Sequence, residues 1–182
     1  MPDTALLLMD LQPEILDRFA VADGYIDRVV EVQARAEAAG DPVVLVHVGF
    51  RPDYPEVAAR NKIFGSVPST GGMVLGRPQT EPHPRLRRGH GEIVVAKKRV
   101  SAFAGSDLAD VVRARGIGHL VLAGVATSGV VLSTVREAAD RDYEITVLED
   151  LCRDRDEEVH RLLTEKVFPR QCEVIPSTAW RR

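Results

Sequence analysis

The sequence predicts an α/β fold of three layers, α/β/α, in which a six-stranded, mostly parallel sheet lies between helices in a Rossmann-like arrangement. Short apolar runs alternate with longer amphipathic stretches, which is the pattern of βαβ units. The runs are apolar almost throughout, as expected of strands covered on both faces. With 182 residues, 45% of them hydrophobic, the chain is long enough for a single domain, residues 1–182, with a full core.

Six apolar runs predict the strands, and glycine or proline marks the ends of the helices. The strands are expected at residues 4–9, 43–48, 92–96, 119–123, 145–148 and 172–175. The helices are expected at residues 25–39, 106–115, 128–141 and 155–167. Gly40 and Gly116 follow the first two helices as C′ residues, and Pro169 follows the last.

Residues 49–91 interrupt this alternation. The segment is rich in proline and glycine, has no sustained period, and is too long for an ordinary connection. It also contains apolar residues that a disordered linker would lack, namely Phe50, Tyr54, Val57, Ile63, Phe64 and Met73. We therefore expect an ordered lid or an arm used in oligomerisation.

Charge and cysteine content limit the classes of partner. A net charge of −3 and a pI near 6.0 favour neither nucleic acid nor a membrane surface, so a small molecule is the expected partner. No apolar run approaches the ~20 residues that a bilayer requires, and no secretory leader is visible, which predicts a cytoplasmic protein. Cys152 and Cys172 are expected to be free thiols, since a reducing cytosol disfavours a disulfide.

Ionisable residues cluster where the predicted strands end. They are Asp10, His47, Arg51, Lys97, Lys98, Glu149 and Asp150, and residues 126–129 follow the fourth strand. These positions share one edge of a parallel sheet, the edge at which ligands bind. Asp10 follows a run of apolar residues, so its carboxylate needs a partner, and Lys97 could supply it. Two alternatives stay open: Asp10 caps a turn, and Lys97 points to solvent.

Three blocks of this sequence resemble the isochorismatase-like (cysteine hydrolase) superfamily. They are ALLLMDLQPEIL, VVAKKRVSAFAGSDL and GVATSGVVLSTVREAADRDYEITVLEDLCRD. The resemblance implies a six-stranded parallel sheet, catalytic roles for Asp10 and Lys97, and a cis peptide bond between Val125 and Ala126. It also implies subunits that complete each other's pockets, so a homodimer or homotetramer is expected.

The third block lacks the nucleophile of the amidase branches. Their pattern is approximately G-V-x-T-N-x-C-V-x-x-T, and Val130 falls on the cysteine. Residues Ala126, Thr127, Ser128 and Gly129 would then supply oxyanion-binding groups. True isochorismatases also lack the cysteine, and in their chemistry an aspartic acid protonates a vinyl ether that water then cleaves. Asp10 would be that acid.

No metal and no cofactor is expected. The nicotinamidase branch carries an Asp-x-His motif and a further histidine after the second strand. Here His47 and Asp53 do not have that spacing, and His83 and His90 lie far along the chain. A lone strand histidine is more often a satisfied core residue. Arg51, with Arg60 and Asn61, is instead a candidate for binding a substrate carboxylate, although surface arginines are commonly just solvated.

The leading hypothesis is a cofactor-independent hydrolase of a small, carboxylate-bearing molecule, working through Asp10 and Lys97 without a thiol. The first alternative is a non-catalytic small-molecule-binding relative that lost the nucleophile. The second is a serine amidase using Ser128. The sequence weighs against it, because it has no G-x-S-x-G elbow and serine at a helix start is an ordinary N-cap.

Overall fold

One parallel sheet forms the centre of the protein. The computed structural model describes residues 3–19, 21–87 and 92–181. Its strands are β1 (Thr4–Met9), β2 (Val43–Val48), β3 (Ile93–Lys97), β4 (His119–Val125), β5 (Glu144–Arg153) and β6 (Glu173–Ile175). Their order is β3-β2-β1-β4-β5-β6, and every neighbouring pair is parallel. The predicted six-stranded α/β sheet is confirmed, and its order switches between β1 and β4, where ligands bind in such sheets.

Helices cover both faces of the sheet. They are α1 (Pro13–Leu16), α2 (Tyr25–Ala38), α3 (Val67–Thr70), α4 (Leu108–Ala114), α5 (Leu132–Ala139) and α6 (Glu157–Leu162). Helix α2 and residues of the 49–87 segment pack on one face of the sheet. Helices α4 and α5 pack on the other face, together with Leu163 and Phe168, which follow α6. The predicted helix at 128–141 is divided, because the backbone leaves helical geometry at Gly129, within the turn Thr127–Val131, and α5 begins after this turn. A π-helical turn, Leu163–Val167, follows α6.

Strand β5 is longer than the sequence predicts. The expected strand covered residues 145–148, whereas β5 continues to Arg153. The pairing of β4 with β5 shifts between Leu122 and Gly124 and then resumes, with Gly124 opposite Cys152. Glu149, Asp150 and Cys152 therefore lie within the strand and not beyond it, which corrects the predicted strand end. An irregularity in register between two strands leaves no local signal in the sequence.

Gly124 allows β1 and β4 to approach closely at this irregularity. Its φ is +149°, and a Cβ built there would lie 2.2 Å from the backbone oxygen of Met9. Any other residue would push β4 away from β1 next to the end of both strands. Glycine at this position thus sets the distance between the two strands at the switch point.

Residues 49–87 pack against the sheet face that carries α2. Phe50 forms a bridge with Val74, and its ring centroid lies 5.4 Å from that of Phe64. Met73 is buried, and Tyr54 and Val57 pack against the same core. Ile63, which was predicted to be an anchor, is instead 63% exposed, because Asn61 binds the N–H groups of Ile63 and Phe64 in a turn that buries only Phe64. Residues 88–91 lie outside the described part of the chain.

Both cysteines are free thiols in the structure. Cys152 is buried in β5, and Cys172 is half-buried just before β6. Burial raises the pKa of each thiol to about 12. Within the described residues, no helix combines the length and apolar character needed to cross a membrane.

Candidate active site

A buried ion pair joins the first and third strands at the carboxyl edge of the sheet. Asp10 follows β1 with a φ of +57°, and its N–H donates to the backbone oxygen of Val46 at 2.8 Å. Lys97 ends β3, and its Nζ lies 2.9 Å from Asp10 Oδ2. Since β2 lies between these strands, the lysine side chain reaches across the end of β2. The side chain of Lys97 is only 1% exposed, so the alternative that it points to solvent is wrong.

The Asp10 carboxyl is in an environment that favours its neutral form more than water does. Burial raises the pKa of Asp10, although the charge and hydrogen bond of Lys97 and the nearby His47 oppose the rise. Asp10 Oδ1 is buried and has no hydrogen-bond partner among the described residues. One oxygen is thus held by Lys97, whose Nζ also donates to the Arg99 carbonyl at 3.0 Å, and the other is buried without a partner in the described chain, which adds to the cost of charging the carboxyl.

Buried polar side chains attach the loop before β3 to the residues that follow β1 and to the end of β2. Gln12 exchanges two 2.9 Å hydrogen bonds with the backbone of Val48 and donates to the carbonyl oxygen of Thr80 at 2.7 Å. His47 Nδ1 lies 2.8 Å from the same carbonyl, which can only accept, so this nitrogen carries the proton. The Thr80 hydroxyl donates to Glu14 at 2.8 Å. His47 is therefore a hydrogen-bonded interior residue, as the sequence predicts.

The turn after β4 lies beside Asp10. The peptide bond between Val125 and Ala126 is cis, as the resemblance implies. Thr127 and Val130 are buried, and Val130 is 2% exposed within the core on the α5 side of the sheet. The N–H of Gly129 donates to the Ala126 carbonyl at 3.1 Å. The turn is thus closed on itself, and an apolar side chain occupies the position predicted for the missing cysteine.

Two residues that sequence reasoning missed bind this turn, Asp154 from the β5–α6 connection and His160 from α6 itself. His160 Nδ1 lies 2.8 Å from the Thr127 hydroxyl, and Asp154 Oδ2 accepts the N–H of Ser128 at 2.7 Å. Ser128 does not cap a helix with its side chain, so its predicted N-cap role is wrong. These contacts join residues about thirty positions apart, so no local pattern in the sequence predicts them. The nearest local signal is Asp156, whose side chain accepts the N–H groups of Glu158 and Val159 and marks the start of α6.

The arginine predicted to bind a carboxylate already has a partner. Arg51 Nε contacts Glu56 Oε1 at 2.6 Å, and the Arg51 side chain is 68% exposed. Arg60 is exposed, and the Asn61 side-chain oxygen is used in its own turn. In the described ranges no group of three histidine, cysteine or acidic side chains is placed to hold a metal ion, and His90 lies outside those ranges.

Comparisons with known proteins agree with this fold. The sequence model of the Isochorismatase domain matches residues 4–179. The isochorismatase family protein YecD of Escherichia coli O157:H7 is 33% identical over 171 residues, 92% of this chain and 88% of that protein. The ureidoacrylate amidohydrolase RutB of Variovorax paradoxus is 30% identical over 180 residues, covering 81% and 68%. A solved isochorismatase family protein from Burkholderia thailandensis superposes with a TM-score of 0.88 at 27% identity, covering 100% and 95%.

Proposed function

The chain belongs to the isochorismatase family, and from this premise we propose that it hydrolyses a small molecule with Asp10 and Lys97 and without a nucleophilic thiol. The protein is a hydrolase of this family. The observation that carries the proposal is the buried Asp10–Lys97 pair, in which burial raises the pKa of a carboxyl whose second oxygen has no partner in the described chain. Such a perturbed acid at a strand switch point is typical of a catalytic group.

The proposed reaction is acid-catalysed cleavage of a vinyl ether by water. Protonated Asp10 donates its proton to the alkene carbon, which leaves an oxocarbenium ion. Water adds to this ion and returns a proton to Asp10, and the resulting hemiketal separates into a carbonyl compound and an alcohol. One water is consumed, and Asp10 ends the cycle as it began.

Lys97 stabilises the Asp10 carboxylate that exists between the two proton transfers. Its ammonium contacts Oδ2 at 2.9 Å, so the negative charge forms beside a fixed positive charge. An oxyanion would develop only in amide or ureido hydrolysis, and there the N–H groups of Ala126 and Thr127 would be the remaining candidates for binding it, since those of Ser128 and Gly129 already donate within the protein. We expect this chemistry to need no metal and no cofactor.

A second candidate is hydrolysis of an amide or ureido bond, which is favoured by the similarity to a ureidoacrylate amidohydrolase. Both substrate types suit a small carboxylate-bearing molecule. A serine nucleophile receives no support, because His160 contacts the hydroxyl of Thr127 and not that of Ser128.

We propose that the protein assembles as a homodimer or homotetramer. Light scattering tests this, and a 20 kDa species alone would contradict it.

The test is a screen of vinyl ethers, amides and ureas with the purified protein and matched variants. Asp10→Asn keeps the shape of the side chain but removes the acid, and we expect it to reduce kcat by about 10²-fold or more. Asp110→Asn is the control, because Asp110 is exposed and pairs only with Arg113 on α4. Activity that survives Asp10→Asn unchanged would exclude this mechanism. Binding of a small molecule without turnover of any class would favour the non-catalytic alternative.

A further inference from the structure

The ammonium group of Lys97 is held from two sides. Its Nζ lies 2.9 Å from Asp10 Oδ2 and donates to the Arg99 carbonyl oxygen at 3.0 Å. A lysine side chain is a flexible four-carbon stem with a point charge at its end, so a single contact would leave the position of that charge poorly defined. The Arg99 carbonyl is therefore the second point that fixes the positive charge beside the Asp10 carboxyl.

The side chain of Arg99 fixes the position of its own carbonyl by binding two others. Arg99 Nη1 donates to the Lys98 carbonyl at 2.6 Å, and Nη2 donates to the Glu56 carbonyl at 2.9 Å. Both of these bonds go to backbone oxygens, so the guanidinium acts here as a bridge. It joins the loop that follows β3 to the segment that follows β2, the neighbouring strand.

The Glu56 carbonyl is a well-fixed anchor, because the residues on either side of it are packed and hydrogen-bonded. The Tyr54 hydroxyl donates to the Gly72 carbonyl at 2.9 Å, and the N–H of Val57 donates to the Tyr54 carbonyl at 2.9 Å. Tyr54 and Val57 also pack against the core on the α2 side of the sheet. Arg99 thus attaches the loop after β3 to a part of the chain that cannot easily move.

The other attachments of the loop after β3 lie away from the Arg99 carbonyl. The N–H of Lys98 donates to the Ala104 carbonyl at 3.3 Å, and the N–H of Ala102 donates to the Thr134 hydroxyl at 3.0 Å. Among the described residues, the hydrogen bond from Arg99 to Glu56 is the one that joins residues 98–104 to residues 49–57. Loss of the guanidinium would therefore free the carbonyl that Lys97 binds.

We propose that Arg99 is a positioning residue of the active site, whose guanidinium fixes the carbonyl that holds the Lys97 ammonium against Asp10. Its effect on turnover rests on the proposed function, whereas the positioning of Lys97 does not. The guanidinium fork reaches two carbonyls at once, and an ammonium does not reproduce this geometry. Without the fork the Lys97 ammonium is less closely held at the carboxylate, so the charge and the hydrogen bond by which Lys97 lowers the pKa of Asp10 weaken, and burial raises that pKa further.

The experiment is an NMR titration of the carboxyl carbon of Asp10, whose signal is identified by its loss in Asp10→Asn. We expect Arg99→Gln to raise the pKa of Asp10 by about half a unit or more, a part of the effect that a neighbouring cation has on a carboxyl. Arg99→Lys keeps the positive charge without the fork and should raise this pKa nearly as much. Arg35→Gln is the matched control, because Arg35 also bridges two carbonyls, those of Ser177 at 3.0 Å and Trp180 at 2.9 Å, and it should leave the pKa of Asp10 unchanged.

A second substitution shows whether Arg99 acts through the lysine. In a Lys97→Met background, Arg99→Gln should not change the pKa of Asp10 any further. Circular dichroism checks that each variant is folded over the titration range, and the comparison of Arg99→Gln with Arg99→Lys needs only single substitutions.

Three results would overturn the proposal. They are an unchanged pKa of Asp10 in folded Arg99→Gln, a wild-type value in Arg99→Lys, which would mean that the charge alone suffices, and an equal rise with and without Lys97. The titration involves no substrate, so it is independent of the activity screen. The expected shifts in a protein that turns over none of the screened substrates would contradict the proposed hydrolysis and leave the role of Arg99 supported.

Discussion

Replacement of Lys97 by methionine tests the buried pair most directly. Methionine has a similar length and keeps the apolar packing of a side chain that is 1% exposed. It removes the ammonium that contacts Asp10 Oδ2 at 2.9 Å and the Arg99 carbonyl at 3.0 Å. A charged Asp10 would then be buried without its cationic partner, and loss of one member of a buried pair destabilises a protein by about 3–5 kcal/mol.

The size of this loss should depend on pH, because Asp10 can take up a proton. Burial already raises the pKa of Asp10 above its unfolded value of 3.8, and removal of Lys97 takes away two effects that oppose the rise. A raised folded-state pKa means that the folded protein binds more protons than the unfolded chain, so the free energy of unfolding falls as pH rises towards that pKa. The difference between wild type and variant therefore grows with pH, by at most about 1.36 kcal/mol per unit.

Urea unfolding monitored by Trp180 fluorescence, from about pH 5 to about pH 8, measures the effect. We expect a loss near the full 3–5 kcal/mol at the alkaline end and a clearly smaller loss at the acidic end, on the order of 1 kcal/mol. Lys62→Met, at an exposed lysine, is the control for adding methionine. The double variant Asp10→Asn, Lys97→Met has no titrating carboxyl and should show no such pH dependence. A loss for Lys97→Met that is equal at all pH values would refute the reasoning.

The remaining predictions concern the end of β4 and the turn that follows it. Gly124→Ala should destabilise by more than about 1 kcal/mol in urea unfolding, because its Cβ would meet the strand opposite, whereas Gly118→Ala, which has open space, should be nearly neutral. Val130→Cys should cost on the order of 1 kcal/mol and give a thiol that iodoacetamide alkylates faster than Cys152 or Cys172, whose pKa values are about 12. Alkylation no faster than theirs would mean that Val130 does not occupy the nucleophile position.

The strands and the positions of Asp10 and Lys97 could be predicted because their signals are local. A run of apolar residues that ends in one carboxylate or one ammonium fixes both the strand and the edge at which the charge lies. Predicted strands β1 and β2 have the bounds of the structure, and Lys97, expected just after β3, is its last residue. Parallel topology places both charges on the same edge, whereas the pairing itself stayed open in the sequence and is shown by the structure, in which Lys97 reaches across the end of β2.

The contacts around the turn after β4 could not be predicted, because they depend on the relative positions of elements that are far apart in the sequence. The 2.8 Å contact between Thr127 and His160 crosses 33 residues and requires the exact path of β5. That path includes the shift in register near Gly124, which brings Arg153 beside Val125. A strand ending at residue 148 would have placed Arg153 in a loop, so its position beside Val125 could not be found from the pattern alone.

In the proposed reaction, the residue at position 130 would set the direction in which a proton moves. A thiol there would give its proton to Asp10, and the carboxylate would have to act as a base. Val130 has no proton to give, so in the proposed reaction Asp10 begins protonated and transfers outward to the substrate. Burial favours that starting state, and Lys97, 2.9 Å away, stabilises the carboxylate that the transfer leaves behind. We therefore propose acid catalysis with attack by water and not nucleophilic catalysis for this chain.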